Sequence, residues 1–415
     1  MNIQTDRALL PAGESSTRYL IATITAPKSG RASDRPALNV ALVLDRSGSM
    51  AGSKLDLAKR AVAQAIAVLD ERDRMAVVCY DNEIDTILGS TAAGAEAKAL
   101  ANSRLKDIDA RGNTDLYGGW QRGADQVAAD AAWSSLKRVL LLSDGLANSG
   151  EIDPDVLAQR AAALRAQGIA TSTFGLGADF DEVLMSRLAT EGGGHFYFIE
   201  HPAQIPDFLT SELGDALDVV ARDARLVIHG GAGVEVVPMT GHRVEAHGAD
   251  VHIRFGDMVS EQEITVVVAL RWLPRPIGVA AGVTLRLTDR DDVLFAQPIL
   301  VDFEVVDVVR DRAQAISIAV LVAAAQQISA MARELATKAN RQGDFHDAGE
   351  ALTRAAAEIR ALAPGRSELE VIACELEAQG NHFTMAMSAV ALKQAHFASH
   401  SERTNRDVRG RARRK

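Results

Sequence analysis

The stretch Leu38-Asn39-Val40-Ala41-Leu42-Val43-Leu44 constrains the fold of this chain more than any other. It is continuously apolar rather than alternating, the pattern of a strand covered on both faces. Behind it, Leu55, Ala58, Val62, Ile66 and Leu69 fall on one helical stripe. The alternation then repeats, with strands expected over 75–80, 83–88, 139–143, 169–174 and 195–199. Helices are expected over 93–108, 115–129, 153–168, 180–189 and 203–217. Asp153 suits an N-cap, Pro154 the first helical position and Gly168 the C′ position. Such alternation demands crossover connections, so residues 36–218 read as a doubly wound α/β domain with a mostly parallel sheet.

The flanks follow another period. Residues 18–25, 226–229, 251–255, 264–272, 283–288 and 299–306 alternate apolar and polar between Gly, Pro and Asp turns, as antiparallel strands do. The N-terminal strand of 1–35 needs partners, and 219–307 offers them. The α/β domain is therefore expected as an insertion into an antiparallel β-sandwich. Residues 308–400 turn helical, with an alanine-rich amphipathic segment over 311–339, a break at Arg341–Asp344, and a second helix over 345–363. An exposed apolar stripe there would serve homo-oligomerisation. The last stretch, 401–415, reads as a basic disordered tail.

Charge narrows the function classes. Of 415 residues, 45 are Lys or Arg and 55 are Asp or Glu, a net charge of −10. Residues 404–415 hold six basic residues and one acidic, leaving the rest at −15. An acidic body argues against a nucleic-acid groove. The longest apolar run of the C-terminal part, 315–325, is too short to span a bilayer, so no membrane span is expected. Residues 1–30 lack the apolar core of a secretory signal. Cys79 and Cys374 supply no disulfide framework and read as free thiols of a reducing compartment, the cytoplasm. The ten histidines are scattered along the chain, and none is read as a metal ligand.

Three segments end at the rim where an open α/β sheet keeps its ligands. Asp45-Arg46-Ser47-Gly48-Ser49 follows the first core strand, Gly112-Asn113-Thr114-Asp115 enters a helix, and Ser143-Asp144-Gly145 leaves another core strand. Alone, the first would be an ordinary turn capping the next helix, and Thr114 an N-cap. Together they bring hard oxygen donors from Asp45, Ser47, Ser49, Thr114 and Asp144, without imidazole or thiolate. That set suits Mg²⁺, with Mn²⁺ or Ca²⁺ as alternatives, and not zinc. Two carboxylates balance the ion's charge and weak hydroxyl ligands leave a position open. An Asp or Glu of a partner protein could fill it, with Arg46, Tyr117 and Asn148 as rim contacts.

These residues resemble the metal-ion-dependent adhesion site of von Willebrand factor type A domains, over about residues 36–218. The words Leu42–Met50, Gly112–Leu116 and Leu142–Gly145 are similar to the branch found in bacterial proteins and inter-alpha-trypsin inhibitor heavy chains. The resemblance implies a Rossmann-like binding module with no catalytic residues. It also implies direct ligation by the two serines, and ligation by the threonine and aspartates directly or through water. Relatives that work with AAA+ ATPases suggest an assembly or maturation factor as the alternative. A metal-assisted phosphatase or other hydrolase built on Asp45 is disfavoured, because Ser47 stands where such enzymes carry a second carboxylate.

Overall fold

The computed structural model describes residues 1–30, 35–129, 136–294 and 297–414. They divide into two compact units. One comprises the described residues of 29–219 with 409–411, the other those of 1–28, 220–408 and 412–415.

The chain begins with β1 (Asn2–Thr5), β2 (Leu9–Pro11) and β3 (Ser16–Thr25), then enters the α/β unit. That unit runs β4 (Leu38–Asp45), α1 (Ser53–Ala67), β5 (Arg74–Tyr80), β6 (Ile84–Ala92), α2 (Ala95–Lys106), α3 (Leu116–Ala128) and β7 (Leu136–Ser143). It continues through α4 (Pro154–Ala166), β8 (Ile169–Leu176), α5 (Glu182–Gly192), β9 (Gly193–Ile199) and α6 (Ile205–Leu217). Its strands lie in the order β6-β5-β4-β7-β8-β9. All neighbours are parallel except β5 and β6. Every residue of β4 is buried, as its unbroken apolar run requires. Asp153 caps α4 by accepting from the backbone N–H groups of Asp155 and Val156. Helix α3 approaches the sheet unusually closely. A Cβ on Gly119 would meet the Tyr80 ring at 2.4 Å, and one on Gly123 would meet Val43 Cγ2 at 2.3 Å.

The second unit adds β10 (Val219–Gly230), β11 (Val234–Met239), β12 (Arg243–His247), β13 (Asp250–Val259), β14 (Glu263–Trp272), β15 (Ala281–Thr288) and β16 (Ile299–Val306). These strands and β1–β3 form a four-stranded sheet, β1-β3-β14-β11, and a six-stranded one, β12-β13-β10-β15-β16-β2. Leu20, Ile24, Val266 and Trp272 from the first share a core with Leu226, Ile228, Leu285 and Phe303 from the second. This is the sandwich, completed by the strands preceding the α/β unit.

Helices α7 (Val308–Ala313), α8 (Ile318–Gln342), α9 (Phe345–Leu362), α10 (Ser367–Phe383) and α11 (Ala389–Arg403) follow. They belong to the sandwich's unit, since Val267 and Ala269 on the other face of β14 pack with Leu321, Ala324, Ile328 and Leu352. Leu321, Ala324 and Ile328 of α8 thus pack on their own chain, while Met331 and Leu335 of the same helix are exposed. The single helix expected over 311–339 is two. Residues 314–317 break it because Gln314 bonds to the backbone of Ala8 and Leu9, and the Ser317 N–H to Asp6. Helix α8, with 25 residues, is long and apolar enough by length and composition to cross a bilayer, which the 11-residue run did not suggest. Half of its most apolar window is buried within the protein. At its end Gly343 adopts φ +86°, the left-handed C-cap that stops it.

The tail is a further correction. Helix α11 continues to Arg403, Asn405 Oδ1 accepts from the Thr265 N–H at 3.0 Å, and the Glu263 N–H donates to Arg413. Isolated bridges join Arg406 to Ala412 and Gln262 to Arg414. The basic residues find acceptors in an otherwise acidic chain: Arg403 pairs with Glu334 and donates to the Thr240 carbonyl.

Candidate metal centre

Strand β4 sits at the middle of its sheet. The chain leaves it first toward β5 and later returns on its opposite side as β7. The loops after β4 and β7 therefore diverge, and the crevice between them is the topological switch point where open α/β sheets bind ligands. Asp45 ends β4 and Asp144 directly follows β7; both are fully buried.

Hydrogen bonds join the two loops. Asp45 Oδ1 accepts from the Ser47 N–H at 2.8 Å, and Asp45 Oδ2 from the Ser143 hydroxyl at 2.6 Å. The hydroxyls of Ser47 and Ser49 are 3.1 Å apart, and Ser49 donates to Asp144 Oδ1 at 2.6 Å. The ammonium of Lys54, from the first turn of α1, donates to Asp144 Oδ2 at 2.5 Å. Burial pushes the Asp45 carboxyl up to about 6; hydrogen bonds from Ser143 and Ser47 oppose this, and the Asp144 charge adds to it. Behind the site, burial and then the Asp45 charge hold the Tyr80 phenol well above its usual range.

The third segment is tied to the first by the Gly48 N–H donating to the Gly112 carbonyl at 3.1 Å and the Arg111 N–H to Arg46 at 2.8 Å. Thr114 is buried, and its hydroxyl and that of Ser49 both face Gly145. A Cβ there would lie 3.5 and 3.6 Å from the two oxygens. Asp115, not Thr114, is the N-cap of α3, accepting from the Gly118 N–H at 2.8 Å. The Thr114 hydroxyl is thereby relieved of capping.

The rim departs from expectation. Arg46 is buried, with its guanidinium donating to Asp81 at 3.0 Å and Asp85 at 2.5 Å, so it is no surface contact. Buried Asp81 is paired by two guanidiniums, Arg46 at 3.0 Å and Arg111 at 2.7 Å, and this network holds Arg46 inward. Tyr117 is half-buried, edge-on to Trp120. Asn148 is exposed, but its Oδ1 accepts from the Thr114 N–H at 2.9 Å and its own N–H donates to the Thr114 carbonyl at 3.2 Å. It positions Thr114 rather than standing apart. Sequence reasoning quoted Ser143 within its segment without giving it a role, and gave Lys54 none at this site. The signal for Lys54 was a lone cation on the first turn of the helix following the Asp45 loop.

The donor set fits a small divalent cation. Two buried carboxylates and three hydroxyls supply hard oxygens, and the Lys54 ammonium already stands where this anionic pocket calls for positive charge.

Residues 39–211 match the family model of the von Willebrand factor type A domain. Over 222 residues the chain is 28% identical to YfbK of Escherichia coli (strain K12), covering 53% of this chain and 38% of YfbK. Over 123 residues it is 29% identical to inter-alpha-trypsin inhibitor heavy chain H3 of Homo sapiens, covering 28% of this chain and 14% of that protein. The chain thus spans well under half the length of either relative. Among solved structures, a von Willebrand factor type A protein from Catenulispora acidiphila shares the fold with a TM-score of 0.68 at 19% identity. The match covers 91% of this chain and 96% of that one.

Proposed function

Taking residues 39–211 as a von Willebrand factor type A domain, we propose that this protein captures a partner protein through Mg²⁺ held by Asp45, Ser47, Ser49, Thr114 and Asp144. The observation that carries this reading is the hydrogen-bonded chain Asp45–Ser143 and Ser47–Ser49–Asp144, which draws oxygens from two diverging loops into one pocket. A bound Mg²⁺ supplies Lewis acidity and a coordination position that an outside carboxylate can take.

The chain's own residues do the rest. Ser143 and the Ser47 N–H hold both oxygens of Asp45, fixing its orientation in a buried setting. Asn148 holds the backbone of Thr114 on both sides, so the threonine hydroxyl is set by the loop after β7. Ser49 is exposed while the carboxylates beneath it are not, so an acidic side chain approaches from the solvent side of the serine loop. Such a contact is charge-assisted and partly desolvated, which favours one carboxylate over diffuse electrostatic association. This is a binding role without a catalytic group, in line with a domain family of protein-interaction modules.

The test is direct. Calorimetric titration of Mg²⁺ into the wild type and Asp45→Ala should show binding in the first and none in the second, with equal far-ultraviolet circular dichroism. Partners retained on immobilised wild type in Mg²⁺ should elute with EDTA. Retention that persists in EDTA and in Asp45→Ala would refute the reading.

A further inference from the structure

The hairpin β12–β13 lies at one edge of the six-stranded sheet and carries a second cluster of ligating side chains. Its register pairs Glu245 with His252 and His247 with Asp250. Directly paired residues share a face, and residues two apart on one strand do too. Glu245, His247, Asp250 and His252 therefore all project from the same side. One ligand atom each from Glu245, His247 and His252 lies within 4.8 Å of the others. The two imidazoles are 4.8 Å apart at 69°, and His247 Nε2 is 3.7 Å from Glu245 Oε2.

We propose that Glu245, His247 and His252 form a zinc-type metal site, separate from the oxygen site of the α/β unit. The chemistry differs in kind. Two imidazoles and one carboxylate suit a borderline transition-metal ion with a fourth position left for water, whereas Mg²⁺ prefers oxygens alone. A tetrahedral ion bonded at about 2.0–2.1 Å holds its ligand atoms roughly 3.4 Å apart. Side-chain rotation alone can close the present spacing, because His247 is exposed and free of a packed core.

Surrounding groups support the three. Arg243 and Arg254 each donate to a different oxygen of Glu245 at 2.9 Å, which fixes the carboxylate plane. A carboxylate accepts about four hydrogen bonds, so both contacts can persist beside an ion, as partners that orient a ligand do. Asp250 faces the same side and accepts from His229 Nδ1 at 2.7 Å, a further carboxylate next to His247. A helical cluster of His346, Asp347 and Glu350 is weaker, since all three are exposed and a single imidazole stands with two carboxylates.

The experiment uses the full chain in excess Mg²⁺. Zn²⁺ is titrated calorimetrically, and Co²⁺ is followed by visible absorption, in the wild type, Asp45→Ala and the double variant His247→Ala/His252→Ala. We expect Asp45→Ala to keep Zn²⁺ binding and the intense absorption of four-coordinate Co²⁺, and the double variant to lose both. Loss of Zn²⁺ in Asp45→Ala, or its unchanged binding by the double variant, would overturn the proposal. Imidazole resonances of the wild type supply an independent reading: Zn²⁺ must shift those of His247 and His252, and unmoved signals would overturn it regardless of how the variants fold. Because Asp45→Ala separates the sites, failure here leaves the Mg²⁺ reading untouched, and the reverse holds as well.

Discussion

The Lys54 ammonium sits 2.5 Å from Oδ2 of Asp144, a carboxylate with no solvent exposure, while Ser49 occupies Oδ1. Both oxygens of Asp144 thus carry partners before any divalent ion arrives. Ion binding at Asp144 must displace or share one of them, and Lys54 is the charged competitor.

Replacing Lys54 with Met should therefore tighten divalent binding while lowering the melting temperature of the metal-free protein. A hydrogen bond to a charged group contributes on the order of 1.5 kcal/mol, which corresponds to roughly tenfold in affinity. Titration with Mn²⁺ followed by electron paramagnetic resonance measures this. An affinity equal to wild type would show that Lys54 does not compete.

Much of this site could be read from local words, because each segment announces its own strand end or helix start. The unbroken run before Asp45 becomes the central strand, and the three oxygen-bearing segments reach one rim because the topology is that of a doubly wound sheet. What escaped depends on contacts between distant residues. Arg46 turns inward to Asp81 and Asp85, 35 and 39 residues away, and no local pattern encodes that choice. The tail's order rests on hydrogen bonds to residues 262–265, far back in the chain. The histidine hairpin brings Glu245 opposite His252 through cross-strand register, which the spacing of its histidines alone does not reveal.

Two glycines in helices should respond to alanine with opposite sign. A Cβ at Gly119 meets the Tyr80 ring at 2.4 Å, whereas Gly380 in α10 has nothing within 4 Å of the same position. Gly119→Ala should lose about 1–3 kcal/mol through overpacking. Gly380→Ala should gain about 0.5–1 kcal/mol through helix propensity. Urea denaturation, with fluorescence and circular dichroism as probes, distinguishes them. Two destabilised variants would contradict the spacing.

The two thiols should differ sharply in reactivity. Burial in β5 pushes the Cys79 thiol up to about 12, while Cys374 is exposed on α10. Since the thiolate is the reactive form, a disulfide reagent at pH 8 should label one thiol of the native protein quickly and the second only on unfolding. Fast labelling of both would mean that β5 opens readily.

His400 should make the protein acid-sensitive. Burial, then the charges of His396, Arg403, His242 and Arg406, lower its imidazole to about 3. Between that value and the unfolded value of 6.5, the unfolded chain holds a proton at this position that the folded one does not. Stability contributed by the neutral ring is therefore complete above pH 6.5 and falls with decreasing pH, by at most about 1.4 kcal/mol per pH unit. His400→Asn removes the titration, so the difference in unfolding free energy between variant and wild type should shift in the variant's favour from pH 7 to pH 4. Parallel pH profiles for the two proteins would show that His400 takes up its proton in the folded state as readily as in the unfolded one.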